Sequence, residues 1–180
     1  MHALHFSASN KAALYREVLP QIESVVADET DWVANLANTA AVLKEAFGWF
    51  WVGFYLVDTR ADELVLAPFQ GPLACTRIPF GRGVCGQAWA KGETMVVEDV
   101  NAHPDHIACS SLSRSEIVVP LFSDDLCYLR LISKPRARGC VCRVVRWCIC
   151  RSVCARRSAD RHRRGVRRRG SGCSIRRLGR

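Results

Sequence analysis

Cys75 and Cys85 bracket a glycine-bearing turn in "ACTRIPFGRGVCGQAW", and Cys109 follows two histidines in "HPDHIACSS". Thiols so placed have four uses open to them. A structural disulfide is disfavoured in a compartment that keeps thiols reduced. A zinc site completed by His106 would read C-x9-C then H-x2-C, without the short cysteine hooks of structural zinc sites. Burial as inert small hydrophobes is open to any free cysteine. Redox chemistry is the reading that the surroundings favour. A reacting thiol must ionise near neutral pH, which takes local positive potential or the N–H groups of a helix start. Arg77 and Arg82 lie between the first two cysteines, and Cys85 opens a predicted helix. His103 and His106 precede Cys109, and Ser110, Ser111, Ser113 and Ser115 follow it. Spacing leaves the pairing among the three thiols open.

The elements that must position these residues are confined to the first 125 positions. Residues 11–27 suit a helix that Pro20 should bend or break. Trp32, Leu36, Ala40, Leu43 and Phe47 recur at three- and four-residue spacing, which predicts a second helix ending near Gly48. "WFWVGFYLVD" and "ELVLAPFQG", joined by "TRAD", predict an antiparallel hairpin. "VCGQAWAKGE" reads as a short helix, "TMVVEDV" and "EIVVPLF" as strands, and residues 101–115 as a long loop. "GRGVCG" fits the spacing G-x-G-x-x-G, but no βαβ unit precedes it, so dinucleotide binding is rejected. Gly81, Gly83 and Gly86 are instead expected to let backbone approach a small substrate closely.

Composition divides the chain in two. Its net charge of +9 hides 8 Lys and Arg against 16 Asp and Glu in residues 1–125, followed by 18 against 1 in residues 126–180. Seven of the ten cysteines fall in the second part. The chain is long enough for one domain with a full core, and it has no run near the roughly 20 apolar residues that a membrane span requires. The N-terminus lacks the pattern of a secretory signal, so the expected location is the cytoplasm.

"GFYLV", "LVLAPFQGPLACTRIPFGRGVCGQAWAK", "HIACSS" and "SRSEIVVPL" together resemble the free methionine-(R)-sulfoxide reductases, a single-domain branch of the GAF fold, from about residue 8 to residue 122. The resemblance implies an α+β fold, an antiparallel sheet flanked by helices with a small closed pocket on one face. It also implies roles. Cys109 attacks the sulfoxide and is left as a sulfenic acid, Cys75 condenses with it to a disulfide that thioredoxin reduces, and Cys85 is secondary. Glu116 matches an acid that contacts the sulfoxide, whose oxygen leaves only once protonated. Trp51 and Tyr55 share one strand face and either wall the pocket or belong to the core. No cofactor and no metal are implied; a homodimer is left open.

After residue 125 the pattern departs from the family's. Members continue through a strand ending G-V-L-D-x-D-S and a closing helix, and laying "CYLRLIS" on that strand puts Arg130 and Ile132 where two substrate-binding aspartates belong. "CYLRLIS" is open to a strand reading by itself, but the family's C-terminal strand and helix are expected to be missing. Residues 126–180 read as a disordered or out-of-frame tail, and the enzyme as damaged. Two other classes stay in view: a GAF sensor that holds a ligand without turnover, and nucleic-acid binding through the Arg-rich tail, the weaker of the two.

Overall fold

The computed structural model describes residues 4–107, 109–121 and 127–133. α1 (Lys11–Val25) begins at Asn10, whose side-chain oxygen accepts the Ala13 N–H at 2.9 Å, satisfying one of the donors that a helix start leaves open. The helix runs through Pro20 without a break, so of the bend or break expected there the break does not occur. Proline removes one backbone donor, and the buried face of Tyr15, Val18 and Ile22 holds the turns on either side in place. α2 (Trp32–Phe47) is capped by Asp31, which accepts from Val33 and Ala34, and ends at Gly48 with φ of 59°. Leu36, Ala40 and Leu43 are buried, as their spacing predicts.

β1 (Trp51–Asp58) and β2 (Glu63–Gln70) form the predicted hairpin, paired from Asp58 opposite Glu63 to Val52 opposite Gln70. β3 (Arg77–Pro79) extends the sheet beyond β2. Its three residues, the last a proline, carry no alternation that would mark a strand. Then follow α3 (Gly83–Lys91), the short β4 (Met95–Val97), a 3-10 turn at Val100–Ala102, β5 (Ser115–Leu121) and β6 (Cys127–Ser133). The six strands lie in the order β3-β2-β1-β6-β5-β4, and every neighbouring pair is antiparallel.

β6 corrects the expectation that the C-terminal strand is missing. It fills the centre of the sheet, with Leu129 opposite Phe54 of β1 and Val119 of β5. Ladder bonds are made by backbone groups that every non-proline residue carries, so the departure in side chains at "CYLRLIS" leaves pairing possible. The register sets Ile132 opposite Trp51 and Glu116, and Arg130 opposite Gly53 and Val118. The expected closing helix and the rest of the tail, residues 134–180, lie outside the described residues.

Strand alternation divides the core. Val52, Phe54, Val119 and Leu121 face α1 and α2, whereas Trp51, Tyr55, Leu64 and Val118 pack with Ile78 of β3 and with Val84, Cys85 and Ala88 of α3. The second layer carries the loops with the reactive residues. Its tightest backbone approach is at Gly86, where a Cβ would stand 2.5 Å from the Pro79 carbonyl oxygen and 3.2 Å from the Gly81 nitrogen. This glycine admits protein backbone rather than substrate. Gly86→Ala is accordingly expected to destabilise the fold by about 1–3 kcal/mol through overpacking, read as a lower urea midpoint with the denaturant slope unchanged.

Candidate active site

A disulfide joins Cys75, in the loop between β2 and β3, to Cys109, in the loop before β5, with 5.5 Å between the Cα atoms. Both cysteines are half-buried. Beneath them lies a cavity lined by Ile78, Gly83, Val84, Cys85, His106, Ile107, Cys109 and Glu116. About 10 Å³ of it is open to the centre of a water molecule, room for one water.

Each element brings one part. The first turn of α3 places Cys85, only 2% exposed, on the cavity floor. β5 places Glu116, 3% exposed, at the second position of the strand, opposite Val97 of β4. The Cys85 thiol donates to Glu116 Oε1 at 3.4 Å, a contact between residues 31 apart in sequence. A buried carboxyl group is costly without such partners.

The loop that carries Cys109 is clasped to α3 by Asp105. Its carboxylate accepts the Gly83 N–H at 3.1 Å and the Arg82 Nε–H at 3.2 Å, and pairs with the outer guanidinium nitrogen at 3.1 Å. The Gly83 N–H, followed by the Arg82 side chain, holds the Asp105 carboxyl below its ordinary value, so the clasp is charged throughout the neutral range. Gly83 has φ of 59°, and a Cβ there would meet Ile107 at 3.0 Å. Loop and helix therefore touch closely on both sides of the clasp.

Tyr55 and Trp51 stand outside the cavity wall in this disulfide-bonded form. Both are buried in the layer behind it, where Trp51 stacks on Phe69 with ring centroids 5.5 Å apart. Tyr55 has a more specific task, since its hydroxyl donates to the Cys75 carbonyl at 2.8 Å. It fixes the backbone of one disulfide partner. Cys109, Cys85, Cys75 and Glu116 are thus brought together, while Trp51 and Tyr55 support them. Asp105, Ile78 and Ile107 were not legible as site residues, because their partners are distant in sequence and their types are ordinary. Among the described residues, no three His, Cys, Asp or Glu side chains converge to hold a metal ion, and no helix is long and apolar enough to cross a membrane.

The disulfide also closes a loop spanning 34 positions, a constraint on the unfolded chain worth about 3–4 kcal/mol. Reduction is expected to lower the melting temperature by several degrees in calorimetry, and Cys75→Ser to show the lower value with or without reductant.

Residues 26–133 match the family model described as GAF domain. Curated relatives include the free methionine-R-sulfoxide reductase of Escherichia coli, 48% identical over 113 residues covering 62% of this chain and 67% of that one. The enzyme of the same name from Saccharomyces cerevisiae is 39% identical over 69% of this chain and 72% of that one. Among solved structures, the free methionine-R-sulfoxide reductase of Neisseria meningitidis in complex with its substrate superposes with a TM-score of 0.82 at 75% identity. It covers 91% of this chain and 99% of that chain. The fold, the family model and these relatives agree: the chain belongs to the free methionine-R-sulfoxide reductases, enzymes built on a GAF domain.

Proposed function

We propose that the chain reduces free L-methionine-(R)-sulfoxide to methionine by a thiol relay, without a bound cofactor, and that Cys109 is the nucleophile. The observation that carries the reading is the Cys75–Cys109 disulfide set over a buried thiol and carboxyl group in one cavity. In the reduced form, the Cys109 thiolate attacks the sulfoxide sulfur while Glu116 supplies a proton to the oxygen. Attack joins the two sulfurs; the hydroxyl then passes from the substrate sulfur to the Cys109 sulfur as the S–O bond and the new S–S bond break, so methionine leaves as the thioether and Cys109 is left as a sulfenic acid. The Cys75 thiol then attacks that sulfur, water leaves, and the disulfide closes. Two electrons have passed from the two thiols to the sulfoxide.

A dithiol protein, thioredoxin in this proposal, returns them by exchange: its thiolate attacks the half-buried disulfide, and its second thiol displaces the enzyme as a dithiol. The substrate enters the reduced form, in which Cys109 carries the attacking thiolate, with Trp51 and Tyr55 in the layer behind the cavity. This cycle suits the cytoplasm, where reductant is supplied. The homodimer remains part of the same proposal. The rate is expected to be far below the family's, since Arg130 and Ile132 stand at strand positions flanking Trp51, Glu116 and Gly53 where acids are expected.

The test begins with fully reduced protein, free methionine-(R)-sulfoxide and no reductant. One round should remove two thiols, mapped by alkylation to Cys75 and Cys109, and release one methionine; adding thioredoxin, its reductase and NADPH should make methionine release continuous. Binding of the sulfoxide with no loss of thiol would overturn the proposal in favour of a sensor.

A further inference from the structure

The Asp105 clasp stands outside the thiol relay, yet it connects the two segments that supply the cavity. Asp105 is four residues before Cys109, and its partners Arg82 and Gly83 are three and two residues before Cys85. The bonds span 22 and 23 positions, so local sequence preference cannot account for them. Ile107, between the clasp and Cys109, packs closely on Gly83, where a Cβ would stand 3.0 Å from its side chain, and both line the cavity. Within the loop, short-range backbone bonds run from His106 N–H to the His103 carbonyl and from Cys109 N–H to the Ile107 carbonyl.

Resting on the reductase reading, we propose that Asp105, with Arg82, is a positioning residue: the clasp fixes the Cys109 loop against the start of α3, so that the sulfur of Cys109 stands over the Cys85–Glu116 floor and within reach of Cys75. The Gly83 N–H is the more durable part, since it is part-buried, whereas Arg82 is largely exposed and its ion pair is screened by salt. When the reduced enzyme awaits substrate there is no disulfide to hold the loop. The clasp is then a tether that keeps the two thiols at high effective concentration, the quantity on which both attack and disulfide closure depend.

The experiment equilibrates the full chain in glutathione redox buffers, quenches by alkylation and quantifies the linked 75–109 peptide, with no sulfoxide present. Asp105→Ala is expected to lower the equilibrium constant for the Cys75–Cys109 bond about tenfold and kcat for sulfoxide by a similar factor, with KM changed less. Asp105→Asn, which keeps an oxygen for the Gly83 N–H, should recover most of the loss. A purely structural role would shift the melting temperature of the reduced protein without moving the glutathione equilibrium, and that result overturns the proposal. Should Asp105→Ala fail to fold, Arg82→Gln decides: a fall of about threefold in the same equilibrium supports the clasp, and no change overturns it. If the wild-type chain consumes no sulfoxide while the variants still shift the equilibrium, the clasp stands and the reductase reading fails.

Discussion

Cys109→Ser is expected to reduce methionine-(R)-sulfoxide consumption by at least about 10³-fold, because in the proposed relay the step that breaks the S–O bond loses its thiolate nucleophile. A serine hydroxyl is not ionised at neutral pH, and it cannot hold the oxygen as a sulfenic acid. Methionine release in the coupled assay measures the loss. The same variant cannot form the 75–109 bond, so oxidised samples should show Cys75 alkylated. Cys75→Ser separates attack from resolution. It should release about one methionine per chain in a single turnover and then stall with Cys109 as a sulfenic acid, trapped by a dimedone-type reagent. Retention of multiple turnovers by Cys109→Ser would remove the nucleophile from the mechanism.

Glu116→Gln is expected to lower kcat by about 10²- to 10³-fold, the range for loss of a positioned proton donor. The amide keeps the size and can still accept from the Cys85 thiol, which now contacts Glu116 Oε1 at 3.4 Å. It has no acidic proton for the sulfoxide oxygen. The disulfide equilibrium in glutathione should be nearly unchanged, because the amide preserves the size of the group and an oxygen that accepts hydrogen bonds. A fall in kcat with an intact disulfide locates the defect at sulfoxide protonation. Equal falls in both would show that Glu116 serves the architecture of the floor. Steady-state kinetics and peptide mapping on one preparation distinguish the two results.

Much of the scaffold was legible before any coordinate. The stripe Leu36, Ala40 and Leu43 is buried on one face of α2, and the aromatic and β-branched runs around Trp51 and Leu64 pair as a hairpin. These depend on periodicity and turn chemistry within a dozen residues, which sequence records directly. Pro20 does not break α1, because the buried side of the helix outweighs the one missing donor. The expectation that the sheet's last strand is missing failed for a related reason: β6 is paired through backbone bonds, to which the unusual side chains of "CYLRLIS" are largely irrelevant.

The sequence by itself determined which thiols stand in contexts suited to redox chemistry, because side-chain chemistry is a property of residue type and near neighbours; Glu116 and the roles of the three cysteines came from the family resemblance. Only the tertiary structure decided how they meet. It joined Cys75 to Cys109, laid the Cys85 thiol on Glu116, set the Tyr55 hydroxyl on the Cys75 carbonyl, and set Asp105 on Gly83. Each of these contacts closes a span of 20 or more positions. Contacts at that range are made by the packing of α3 and two loops on one face of the sheet, and packing of that kind leaves no local pattern in the chain.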